Sequence, residues 1–189
     1  MVEILRNLPA DFPLPLLVVM HIGEMFGRLL AEWLDSHSHL RVSCAVDGER
    51  VPDVGQARVI LAPPGRHVVV CANHLRLTDD AERNSCRPSI DVLFESVARE
   101  VGPQSIACLL TGMGRDGAEG LLAIRRAGGR TLAQDEASSV IFGMPQEAIR
   151  IGAADRVVAL SEVVPLLAEL AAGCKSRLRD GAILPRSNI

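Results

Sequence analysis

Two side chains stand where open parallel sheets carry out chemistry. His21 follows an apolar run at residues 14–20 (LPLLVVM), and Asp116 follows residues 105–115 (SIACLLTGMGR). Such sheets bind ligands beyond the carboxyl ends of their strands. If the two strands are near neighbours, an imidazole and a carboxylate meet over one crevice. Both side chains are titratable, so a site in that crevice could use them. Each residue also has a plain structural explanation. A histidine at a strand end can be a packed polar group, and a carboxylate in a helix's first turn complements the helix dipole by roughly a few tenths of a kcal/mol.

A second pattern overlaps the first. Gly112, Gly114 and Gly117 spell GxGxxG between an expected strand and an expected helix, with Asp135 at the end of the next strand. This imitates a dinucleotide fingerprint. Asp116 opposes it, because its charge falls where a pyrophosphate needs bare N–H groups and the positive end of a helix. The pattern also lies in the second half of the chain, with no earlier nucleotide-binding half. For metals, the sequence offers His37-x-His39 and the pair His67 and His74, with no further ligands clustered nearby, so no metal or other cofactor is expected. The five cysteines (Cys44, Cys71, Cys86, Cys108, Cys174) form no CxxC pair. That pattern suggests neither a zinc ribbon nor a disulfide framework. Cys44, Cys71 and Cys108 lie in apolar runs and read as small core residues in a reducing, cytoplasmic compartment.

The elements that position these residues follow from periodicity. The run at 14–20 suits a strand buried on both faces, residues 26–34 have helical spacing, and 41–46 can form a second strand. Residues 59–78 hold short apolar pieces joined by Pro63-Pro64-Gly65 and Ala72-Asn73, the texture of an antiparallel β excursion. Alternation then resumes. Ser89 can cap a helix over 90–101, 105–110 is a strand, and 116–127 is a helix closed by Gly128-Gly129. Strands at 130–134 and 156–160 alternate with helices at 146–150 and 161–172. The expected fold is α/β: a doubly wound, mostly parallel sheet flanked by helices, with a small antiparallel excursion. One domain covers 1–172, and 173–189 is expected to be a loosely ordered tail.

Composition narrows the function classes. The 189 residues are 48% hydrophobic and 23% charged, an ordinary globular balance. A formal net charge of −3 argues against a general nucleic-acid binder. Four Phe, one Trp and no Tyr leave little for aromatic stacking. No apolar run approaches the roughly 18 residues that a membrane span needs, and the start of the chain lacks a signal-peptide layout.

Three strings carry a resemblance: CRPSIDVLFESVAREVG, LLTGMGRDGAEGL and TLAQDEASSVIFGMPQEAI, supported by PADFPLPLLVVMHI and LAPPGRHVVV. Together they resemble the catalytic domain of the bacterial chemotaxis protein-glutamate methylesterases, the CheB family, over roughly residues 3 to 170. The resemblance implies a cytoplasmic Ser-His-Asp hydrolase that demethylates glutamate methyl esters on methyl-accepting chemoreceptors and deamidates certain receptor glutamines. A response-regulator receiver domain is an implied partner. It also implies that His21 is the triad histidine, Asp116 the triad aspartate, and the backbone N–H of Met113 an oxyanion-hole donor. The family's serine lies in a Gly-rich turn upstream of the LPADFP segment. Here MVEILRNLP matches the end of the helix after that turn, so the first strand and the nucleophile have no counterpart in residues 1–189. His21-Ile22-Gly23 replaces a usual His-Met-Pro, and Cys86 stands where the family often has histidine. The chain by itself is therefore expected to have an open slot in its sheet, low stability and no ester hydrolysis. The alternatives are a catalytically silent relative that binds receptors or other partners, and the dinucleotide-binding reading.

Overall fold

A computed structural model describes residues 1–23 and 26–179. In chain order the elements are α1 (Val2–Asn7), β1 (Leu16–Val18), α2 (Gly27–Asp35), β2 (Val42–Cys44), β3 (Val59–Leu61), β4 (His67–Cys71), β5 (His74–Thr78), α3 (Ile90–Glu100), β6 (Ile106–Leu109), α4 (Ala118–Arg126), β7 (Arg130–Gln134), α5 (Met144–Arg150), β8 (Arg156–Val158) and α6 (Leu160–Arg179). The strands form two parallel three-stranded sheets, ordered β1-β3-β2 and β6-β7-β8, and one antiparallel hairpin, β4-β5. Among the described residues, β1 and β6 each pair along one edge only.

One apolar layer joins the two parallel sheets. Val42, Val59 and Leu61 of the first pack in the same cluster as Leu132 and Val158 of the second, under Leu5 of α1, Leu34 of α2 and Val163 of α6. On the opposite side, Ala107 and Leu109 of β6 lie beneath Leu121 and Ile124 of α4 and Ala148 of α5. Helix α3 covers the hairpin, packing Leu93 against Val68, Val70 and Leu75. Helices on both faces of parallel strands are the doubly wound arrangement.

Several boundaries depart from the sequence expectation. Residues 59–61 are not part of the antiparallel excursion: β3 is the central strand of a parallel sheet, with Val59 paired to both Leu16 and Val42. Its three residues are all buried, and so short an apolar piece carries no sign of which neighbour it will pair with. Cys71 is exposed rather than in the core, because it ends β4 beside the Ala72-Asn73 turn. Helix α6 continues past 172 to Arg179. Residues 180–189 of the expected tail lie outside the described residues.

The correction that matters for the site concerns α4. It begins at Ala118, with Gly117 before it at φ +91°. That left-handed backbone favours glycine, and a Cβ there would lie 2.7 Å from both Ile90 and Leu109. The chain turns sharply at this point, so Asp116 stands outside α4 and is free to face another helix.

Candidate active site

Asp116 faces the start of α3. Its Oδ2 accepts the Ile90 N–H at 2.7 Å, and its Oδ1 accepts the Ser89 hydroxyl at 2.6 Å and the Asp91 N–H at 3.3 Å. The side-chain amide of Asn84 approaches Oδ1 at 3.4 Å. The carboxylate thus meets N–H groups that an α-helix leaves unpaired at its N-terminus, at the positive end of the α3 dipole. Only 1% of Asp116 is exposed. Burial pushes its carboxyl up, but the hydrogen bonds from His21, Ser89, Ile90 and Asp91 outweigh this and hold it below the usual carboxylate range. Asp116 is therefore ionised at neutral pH.

The structure brings His21 and Asp116 together. His21 lies just beyond β1, and its Nε2 is 2.9 Å from Asp116 Oδ2. Because an ionised carboxylate only accepts, Nε2 carries the proton, and in the neutral ring Nδ1 keeps its lone pair. The imidazole is 28% exposed, against 2% for its carboxylate partner. A buried acceptor anchors one face of the ring, while the rest reaches the surface.

Sequence reasoning left out the side chains that build this support. Ser89 was expected as a helix cap, and its hydroxyl does accept the Val92 N–H at 3.4 Å. It also donates to Asp116, so the cap and the site share one atom. His67, fully buried, accepts the Ser89 N–H on Nδ1 at 3.1 Å and donates Nε2–H to the Ala81 carbonyl at 3.2 Å. It is a structural histidine, not a metal ligand. Asn84 donates to Asp91 at 2.8 Å and accepts from Arg115 Nε at 3.0 Å. Asp91 is 1% exposed and accepts the Gly120 N–H at 2.7 Å. Burial pushes its carboxyl up, the Gly120 N–H offsets part of that, and the Asp116 charge adds to the rise. No local pattern announces Asn84, and Asp91 shows in the sequence only as a carboxylate in the first turn of α3, because their partners lie on three separate segments.

Met113 lies in the same loop as Asp116, and the residue is 81% exposed. That loop is fastened to the segment before α5: Gly112 O accepts the N–H groups of Gly143 at 3.2 Å and Met144 at 2.8 Å. The Gly112 N–H, which a pyrophosphate would need, is already donated to Ile141 O at 3.0 Å, and this counts against a dinucleotide there. Asp135, the acidic residue of that competing dinucleotide pattern, accepts the Ser138 hydroxyl at 2.5 Å. The one described cluster with metal-ligand atoms is His21, Cys86 and Asp116, whose donor atoms lie within 4.8 Å of one another. Both Asp116 oxygens are already engaged by hydrogen-bond donors, so the cluster suits proton transfer better than coordination.

The family model for "CheB methylesterase" matches residues 1–167. The chain belongs to the CheB methylesterase family. It is 48% identical over 167 residues to a protein-glutamate methylesterase/protein-glutamine glutaminase of Anaeromyxobacter dehalogenans, covering 88% of this chain and 48% of that one. It is 46% identical to one from Pseudomonas aeruginosa, covering 90% and 49%. The protein-glutamate methylesterase FrzG of Myxococcus xanthus is 43% identical, with 85% and 48% covered. The chain thus spans about half the length of these curated CheB relatives. The solved CheB methylesterase catalytic domain of Thermotoga maritima superposes with a TM-score of 0.83 at 35% identity, covering 89% of this chain and 90% of that one. No described helix is long and apolar enough to cross a membrane.

Proposed function

We propose that this chain provides the general base and its orienting carboxylate for a protein-glutamate methylesterase and glutamine deamidase that acts on methylated chemoreceptors in the cytoplasm. The observation that carries this reading is the 2.9 Å contact between His21 Nε2 and a buried, ionised Asp116. It leaves Nδ1 as the proton acceptor. An attacking hydroxyl gives its proton to Nδ1 as its oxygen bonds to the ester carbonyl carbon. The oxyanion that forms is met by the Met113 N–H, a preorganised donor of a kind that contributes about 3 kcal/mol. As the tetrahedral species collapses, methoxide takes the proton from Nδ1 and leaves as methanol. Water then repeats the sequence and releases the glutamate. Throughout, Asp116 stabilises the imidazolium without itself becoming protonated.

The hydroxyl belongs to a serine outside residues 1–189, in the Gly-rich turn implied by the family. Among the described serines, Ser89 is committed to Asp116 rather than to His21. A response-regulator receiver domain is the proposed regulatory partner. The test is methanol release from methylated chemoreceptor by a form extended upstream of Met1. Replacing His21 with Ala should abolish it, and unchanged release would overturn the reading.

A further inference from the structure

His21 Nδ1 has one chemically competent neighbour among the described residues. The Cys86 sulfur lies 3.9 Å from it. The same thiol is 3.4 Å from the Asn84 carbonyl, which can hold the S–H at rest. Cys86 ends a tight turn in which Arg83 N–H donates to Cys86 O at 3.2 Å and Cys86 N–H donates to Arg83 O at 2.9 Å. Both central residues are left-handed, Asn84 at φ 53° and Ser85 at φ 59°. That conformation is uncommon for residues other than glycine and persists only where the surroundings impose it. Here they do so through Asn84, whose amide reaches Asp91 and Asp116 and whose carbonyl oxygen accepts from Arg115. The turn that presents the thiol is therefore tied to the carboxylate that holds the imidazole.

We propose that Cys86 is an acyl-accepting nucleophile, activated by His21 and presented by the Arg83–Cys86 turn, that takes acyl groups from activated carboxylic esters and thioesters. The inference rests on His21 being the base of the proposed reaction. The thiol proton passes to Nδ1 as sulfur bonds to the carbonyl carbon. The tetrahedral species collapses, the bond to the leaving group breaks, and the proton on Nδ1 goes to that group. Water then attacks the thioester with the same proton acceptor, releasing the acid and restoring the thiol. Burial, followed by the charges of Asp116, Glu82 and Asp91, pushes the Cys86 thiol up. At neutral pH it stays protonated, so its acylation depends on the adjacent base and not on standing thiolate. Cys71 is the internal comparison: it is the more exposed thiol, and reactivity governed by exposure alone would favour it.

The chain comprising residues 1–189 is mixed with p-nitrophenyl acetate at neutral pH and quenched in acid, and its peptides are weighed by mass spectrometry. The expected result is acetylation of Cys86 faster than of Cys71, with a matching burst of p-nitrophenolate that Cys86→Ala removes. His21→Ala should slow acetylation of Cys86 by about a hundredfold and leave Cys71 unchanged. The Cys71 rate and a thermal melt report whether each variant is folded. Acetyl groups distributed by exposure, or a Cys86 rate indifferent to His21→Ala, would overturn the inference. Methanol release that ignores His21→Ala, alongside acetylation that depends on it, would sink the methylesterase reading alone.

Discussion

Replacing Asp116 with Asn tests the structural and chemical roles of the site together. The substitution keeps the shape and exchanges one acceptor for a donor. With the new amide at the Oδ2 position, it confronts the Ile90 N–H and His21; at the Oδ1 position it confronts the Asp91 N–H and the Ser89 hydroxyl. Serine can rotate and histidine can change tautomer, but a backbone N–H can do neither. Either way one buried N–H of α3 loses its acceptor, which costs about 1–3 kcal/mol. Loss of the charge at the α3 N-terminus adds roughly 0.3–1 kcal/mol. The total is about 1–4 kcal/mol, or a melting temperature lower by roughly 3–15 °C for a chain of this size. From sequence alone this substitution is expected to leave folding intact while cutting turnover by orders of magnitude. The structure, by burying it, adds the stability loss. If amide and imidazole do come to terms, the ring turns its lone pair towards residue 116 and Nδ1 becomes protonated, so turnover of the upstream-extended form should fall about 10⁴-fold. Calorimetry of residues 1–189 and methanol release by the extended form measure the two effects. A melt within a degree of the unsubstituted protein, with turnover intact, would refute both halves.

Other expectations follow from the same contacts. Because folding lowers the Asp116 pKa, its contribution is complete above the unfolded value of about 3.9 and is lost as pH falls below it; the stability gap to Asp116→Asn should therefore close in acid, and melts from pH 6 to pH 2.5 would show it. Ser89→Ala removes both a helix cap and a 2.6 Å donor to Asp116; it should cost about 1–3 kcal/mol and raise the Asp116 pKa in a carboxyl NMR titration. Gly120→Ala places a Cβ 2.7 Å from Phe94 Cβ and 2.9 Å from the Asp91 Cα; separating α3 from α4 should cost about 1–3 kcal/mol despite better helix propensity, and a melt no lower than that of the unsubstituted chain would count against it. Leu5→Ala, in a fully buried position between the sheets and α6, should cost about 2–5 kcal/mol in chemical denaturation.

Local pattern alone determined a good part of this protein. The cap at Ser89, the apolar strand before His21, the strand at residues 130–134 and the glycines that close α4 are each decided by neighbours in the chain, so they are legible without a structure. The resemblance in the LTGMGRDGAEGL segment and its companions named His21 and Asp116 before any distance was known. Tertiary structure decided what these residues touch. Whether 59–61 joins a hairpin or a parallel sheet depends on which strands lie beside it, and Val59 meets partners far away in sequence. Asp116 reads as a carboxylate for α4's dipole until Gly117 turns the chain and gives it to α3 instead. Cys86 reads as an isolated cysteine until the Arg83–Cys86 turn sets its sulfur beside His21 Nδ1. The physical reason is common to all three. Propensity and periodicity act over a few residues, whereas the partners of a buried polar group are chosen by packing between segments that the chain keeps far apart.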